Sequence, residues 1–266
     1  MSTPTLFIEG PAFWAPTLPG WDAARAAFRG EGALTEPPAR RPAPQLLAPA
    51  ERRRAPDTVA LALEVASASV AAAGREPAGL PCVFASAHGD LAINDYMSTT
   101  LASTPTQLSP IKFHNSVHNA AVGYWTIGTG CREASNSLAA YRYSFAAALL
   151  EAAVQCAADQ RPVLLVGFDV EAIGALATVT QSRGLLAVAL VLAPQPGDHT
   201  VAAFDWSLAT GASTPAALHS DAARSLTDNG MADALPLFET LARDPSGELK
   251  LPLGPTLSLH LRLTPH

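Results

Sequence analysis

The sequence is poor in cysteine: only Cys82, Cys131 and Cys156 occur in 266 residues. An odd set with no CxxC spacing excludes a disulfide framework and a cysteine-built zinc site, and fits a reducing cytosol. Charge is scarce too. Only 15% of residues are charged and the net charge is -6, so there is no basic field to gather nucleic acid or an anionic membrane. Apolar stretches such as Gly184 to Ala193 fall short of the roughly 20 residues that cross a bilayer. Met1 to Pro19 have no basic residue ahead of an apolar run and no small-residue cleavage site, so a signal peptide is not expected. The missing GxGxxG and Walker patterns remove nucleotide binding. His88, Asp90 and Asp95 are possible metal ligands, but no second histidine-rich segment lies at ligand spacing, and neither a metal nor any other cofactor is expected.

Hydrophobic residues make up 48% of the chain, enough for a sizeable core in a single domain over 1–266. Thr5 to Ile8 reads as an opening strand that ends at Gly10-Pro11. Glu36 to Pro56 is rich in proline and arginine and reads as a surface loop, irregular in its first half. Asp57 is placed to cap a helix running from Val59 to about Ala73, stopped by Gly74. Pro81 to Ser86 is an apolar strand followed by a turn at Ala87 to Asp90, which begins an α/β alternation. Ser116 to Ile127 suits a helix, Gly128 and Gly130 break it, and Glu133 to Ser137 reads as a short strand entering a sharp turn. Tyr141, Phe145, Leu149 and Ala152 mark the buried face of a helix over Ala140 to Ala158. Val163 to Phe168 is apolar throughout, as a strand covered on both faces should be. Leu185 to Leu192 and Val201 to Leu208, joined by Pro194 to His199, suggest a β-hairpin. Ala232 to Arg243 reads as a helix, and the alternation from Leu257 to Leu263 as a half-exposed final strand.

Three segments in this order carry a resemblance: Glu51-Arg-Arg-Arg54 leading into the Val59 helix; Val83-Phe-Ala-Ser-Ala-His-Gly89; and Ser116-Val-His-Asn-Ala120 through Phe145-Ala-Ala-Ala-Leu149 to Val166-Gly-Phe-Asp169. The succession resembles the N-terminal half of β-ketoacyl synthases, and most of all the short ketosynthase-like proteins of aryl polyene and related pigment pathways. The resemblance implies an α/β, thiolase-like half-fold, a mixed sheet flanked by helices. In that fold a strand ends in a tight turn and a helix begins at a cysteine nucleophile, whose thiolate the helix N-terminus stabilises. Aligning the helix on Phe145 and Leu149 puts Leu138 or Ala139 at the cysteine's place, and neither can attack a thioester. The two histidines of a condensing site also lack a counterpart: His199, His219, His260 and His266 have no matching context, and the chain reads as too short for a second half. The resemblance thus implies a ketosynthase-like subunit without the nucleophile, paired as a homo- or heterodimer across the strand beside the turn, with a ketosynthase-type partner and an acyl carrier protein.

Other residues carry possible chemistry. Ser137 lies at or beside the turn and becomes a nucleophile if a base activates it; a turn serine bonded to nearby backbone is the ordinary alternative. Cys131 follows Gly128-Thr129-Gly130, where Arg132 would lower its pKa, against the ordinary reading of a packed thiol. His118 would polarise a thioester carbonyl and Asn119 donate to an oxyanion; the ordinary alternative is His118 hydrogen-bonded in a buried contact, in a segment that the resemblance places near the subunit interface. An acyl transferase or thioesterase using Ser137 or Cys131 is the rival function. A short distance from either atom to His118 or His88 would support it, and apolar packing around Leu138 would count against it. Asp169 and Glu171 follow a strand end, where a solvated pair is the ordinary account. Arg52, Arg53 and Arg54 suit an acidic carrier protein.

Overall fold

The computed structural model describes residues 4–180, 182–212 and 214–266. One mixed sheet of eight strands organises the chain: β1 (Leu6–Trp14), β2 (Cys82–Ala85), β3 (Ser135–Leu138), β4 (Val163–Asp169), β5 (Leu186–Ala193), β6 (Thr200–Thr210), β7 (Gly247–Pro252) and β8 (Leu257–Pro265), in the spatial order β3-β2-β4-β5-β1-β6-β8-β7. β2 runs parallel to β3 and β4, and the remaining neighbours are antiparallel. β4 and β5 are buried at every residue, as strands covered by helices on both faces must be.

The helices form two layers. α3 (Asp57–Ala72) lies across β1, β5 and β4, with α6 (Ala120–Thr129) beside it. α7 (Ser144–Asp159) covers β4 and β2 on the opposite face, next to the α1 (Trp21–Arg29) and α9 (Leu235–Arg243) pair. Two core clusters follow, one on each side of the sheet. The alanines of α3 let it approach closely. A Cβ on Gly10 would lie 2.2 Å from the Ser69 carbonyl oxygen, so only glycine fits there, at φ 53°.

That glycine alters one expectation. β1 does not end at Gly10-Pro11; the pair sits in a bulge between Glu9 and Ala12, after which pairing to β5 resumes. A bulge accommodates both a proline without a donor and a glycine at positive φ. The expected hairpin of β5 and β6 is also absent, because β1 lies between them and pairs with both. The connecting residues carry the chain past the β1 edge, and apolar periodicity alone does not specify which strand fills the gap. Asp57 is the first residue of α3 and not its cap; Pro56 holds the cap position and the Asp57 carboxylate pairs with Arg41 at 3.0 Å. The loop over 36–56 has a short helix, α2 (Pro49–Arg54), in its second half, with Leu47 buried beneath it. The residues between β2 and β3 also hold α4 (Leu91–Ser103), capped by Asp90, whose carboxylate accepts from the Ile93 amide at 2.8 Å, and α5 (Pro110–His114).

Candidate functional site

β3 is the outermost strand on its side of the sheet, and Ser135 and Asn136 are exposed. Its residues alternate as a strand requires. Asn136 donates to Glu151 of α7 at 2.8 Å, Leu138 packs against the α7-side core, and Ser137 faces the other layer. Beyond Leu138 the chain turns through Ala139 and Ala140 into a helical turn at Tyr141–Tyr143, which leads straight into α7. Tyr141 takes φ 53°, a left-handed conformation costly for a bulky side chain. Ser144 locks the turn: its hydroxyl donates to the Tyr141 carbonyl at 2.7 Å and accepts from the Ala140 amide at 3.0 Å. The tightest point of the turn is therefore Tyr141, beyond the Leu138 and Ala139 positions singled out above.

Two carboxyls lie below this turn. Asp233 accepts from the amides of Phe145 at 2.9 Å and Ala146 at 3.2 Å, satisfying donors in the first turn of α7. Burial pushes it up to about 8, with the nearby Asp169 adding to the shift and the two amides opposing it. Asp169, at the end of β4, is fully buried and not the solvated residue expected; Glu171 is exposed. Asp169 accepts from the Ser86 hydroxyl and the Ala87 amide, both at 2.8 Å, and from the His88 amide at 3.3 Å. Burial outweighs these bonds and holds its carboxyl at about 7. A cavity of about 180 Å³ opens between His88, Tyr141, Arg142, Asn229 and Asp233. His88 is pushed below its usual range by burial and meets the Tyr141 ring edge-on at 5.6 Å. Ser86 and Asp233 were not singled out as site residues from the sequence, and Tyr141, expected on the buried face of the helix, instead precedes α7 and is 49% exposed, because the left-handed turn there directs it away from the core. A left-handed tyrosine has no composition signal, and Asp233 reaches α7 from a distant part of the chain.

A second polar group occupies the other face of β3. His118 places Nε2 at 2.9 Å from the Ser86 carbonyl oxygen and Nδ1 at 3.1 Å from Ser137 Oγ. The Ser137 hydroxyl also has the His118 carbonyl as an acceptor, donating to it at 3.2 Å. Ser137 and Asn119, with Val122, Leu138 and Glu151, line an open hollow of about 510 Å³. Of the conditions set by the sequence, both are met in part: Ser137 is close to His118, and Leu138 is packed against apolar neighbours. Cys131 is buried and its Sγ donates to the Leu80 carbonyl at 3.4 Å, while burial pushes the Cys82 and Cys156 thiols up to about 12. Neither Cys82 nor Cys156 is disposed to act as a thiolate.

The arginine cluster divides. Arg52 donates to the Leu47 carbonyl at 2.9 Å, whereas Arg53 and Arg54 are exposed. Arg54, Arg40 and Lys112 rim a groove of about 830 Å³ floored by residues such as Ile93, Val170 and Leu185. α5, α6 and the residues between them leave Ile111, Phe113, Val117 and Ile127 exposed, Ile127 at 85%. Among the described residues, no group of three or more His, Cys, Asp or Glu side chains is placed to hold a metal ion, and no helix is long and apolar enough to cross a membrane.

The family model described as beta-ketoacyl synthase, N-terminal domain, matches residues 25–246. No curated protein sequence matches the chain. Among solved structures, a ketosynthase (ApeO) in complex with its chain length factor (ApeC) from Xenorhabdus doucetiae is similar at 23% identity and TM-score 0.72, covering 97% of this chain and 99% of that one. The ishigamide ketosynthase/chain length factor is similar at 16% identity and TM-score 0.72, with the same coverage. A type II PKS acyl-carrier protein in complex with its ketosynthase bound to the hexaketide, AntDE:AntF, is similar at 11% identity and TM-score 0.71, covering 98% and 99%. The shared architecture is the thiolase-like mixed sheet flanked by helices.

Proposed function

Since the chain belongs to the β-ketoacyl synthase family through its N-terminal domain, we propose that it is a ketosynthase-like partner subunit that assists carrier-bound polyketide, aryl polyene or fatty-acyl assembly without condensing by itself. The observation that carries this reading is the occupant of the turn between β3 and α7. The fold presents its nucleophile there, and this chain has Leu138, Ala139, Ala140 and Tyr141, with its three thiols buried elsewhere. The Asp233 carboxyl already occupies the first amides of α7, which supports a turn without a thiolate to stabilise.

The open edge of β3 and the exposed Ile111, Phe113, Val117 and Ile127 support a partner that adds a strand to the sheet and covers the apolar face. Similarity to ketosynthase and chain length factor pairs supports a ketosynthase as that partner. Arg53 and Arg54, with Arg40 and Lys112, offer an acidic carrier protein a cationic approach.

The test is co-expression with an aryl polyene ketosynthase, followed by light scattering on the purified complex and a condensation assay with malonyl carrier protein. A one-to-one complex is expected, with carbon dioxide release only when the ketosynthase is present. Release by this chain alone, or a chain that stays monomeric beside the ketosynthase, sinks the reading.

A further inference from the structure

The polar group on the α6 side of β3 has the parts of a nucleophile and its base. The Ser86 carbonyl only accepts, so the 2.9 Å contact assigns a proton to His118 Nε2. A neutral ring then presents the lone pair of Nδ1 to Ser137 Oγ, 3.1 Å away, so the single hydroxyl proton has two acceptors within reach, Nδ1 and the His118 carbonyl at 3.2 Å, and a small rotation of the hydroxyl delivers it to the ring. The base is held from behind in the required tautomer, with a backbone carbonyl where a carboxylate often stands. Ser137 is not sealed in, because it lines the hollow that also holds Asn119. The ladder bonds from Cys82 to the Ala134 carbonyl and from Ser86 to the Leu138 carbonyl turn alternate β3 residues toward β2. The Ser137 amide therefore points to the open edge, where it is available to a developing oxyanion, and Asn119 lines the same hollow.

We infer that, in the free subunit, Ser137 is a nucleophile activated by His118 that removes acyl groups from activated esters and thioesters and passes them to water. Ser137 Oγ forms a bond to the acyl carbon as its proton moves to His118 Nδ1, and the carbon–sulfur bond breaks with that proton returning to the departing thiolate. Water then attacks the acyl-serine, gives its proton to Nδ1, and the ester bond breaks with Ser137 regaining its hydrogen. The inference does not rest on the partner role. A partner strand along β3 would cover the hollow, so the hydrolysis belongs to the unpaired chain.

The experiment treats the purified full chain, without a ketosynthase, with a fluorophosphonate probe and measures intact mass, peptide mapping and p-nitrophenyl acetate turnover. One adduct per chain on Ser137 is expected. Ser137→Ala should abolish the adduct and His118→Ala should slow labelling at least 10-fold, in variants whose melting temperatures show them folded. A wild-type chain that gains no adduct at Ser137 overturns the inference, whatever the variants do. So does labelling at an unchanged rate in folded His118→Ala.

Discussion

The two faces of β3 carry polar groups of opposite character, joined through one residue. Ser86 donates from its side chain to Asp169 on one side and accepts from His118 at its carbonyl on the other. On the α7 side the carboxyls of Asp169 and Asp233 are removed from water, pushed toward neutrality and occupied with backbone amides. On the α6 side Ser137 and His118 remain within reach of solvent. Burial turns ionisable groups into fixed parts of the scaffold, while partial exposure leaves comparable groups free to react. In a family whose chemistry is expected at the β3–α7 turn, this chain has its packed polar group beneath that turn and its accessible one on the strand's other face.

The comparison breaks most directly at Asp169. Asp169→Ala leaves the Ser86 hydroxyl and two amides without their acceptor in a buried place, and should cost about 3 kcal/mol, read by urea unfolding. An unchanged midpoint would mean that the carboxyl does not organise the turn. For the partner role, Ile127→Asp should weaken ketosynthase binding by at least about 30-fold while leaving the melting temperature of the free chain within a few degrees, since it places a charge in the exposed apolar face. Equal affinity would move the interface elsewhere.

The carboxyls also set a pH dependence. Both have folded values above the ordinary 3.8, so the folded chain holds protons that the unfolded chain releases. Their contribution is complete below about pH 4 and is lost as the pH rises through 7 and 8. Asp233→Asn keeps an oxygen for the α7 amides without a charge and should raise the melting temperature at pH 8.5 by roughly 2–4 °C, with a smaller gain at pH 5. A gain independent of pH would point to packing instead of ionisation. The smallest effect is expected at His118: its hydrogen bonds are part-exposed, and His118→Ala should cost no more than about 1 kcal/mol in unfolding experiments. A loss as large as that at Asp169 would place His118 in the scaffold with the buried group.

Much of the architecture was readable before the structure. The helix over 144–159, the apolar strand at 163–169 and the alternating final strand follow from local periodicity, which one segment contains in full. The place of β1 between β5 and β6 was not readable, because apolar strands carry no label for their neighbours. Gly10-Pro11 looked like a strand end for a similar reason: whether such a pair stops a strand or bulges within it depends on the helix above.

The candidate site shows the same division. The sequence by itself determined that Ser137, His118, Asn119 and three thiols were the available reactive groups, and that no thiol stood between Leu138 and Ser144, because residue identity settles what chemistry a segment offers. Only the tertiary structure decided that His118 meets Ser137 with one ring nitrogen and the Ser86 carbonyl with the other, that Tyr141 takes the strained position of the turn, and that Asp233 crosses to cap α7. Those contacts join segments far apart in the chain, and their distances and burial, which set proton positions and pKa values, exist only once the sheet and both helical layers have assembled.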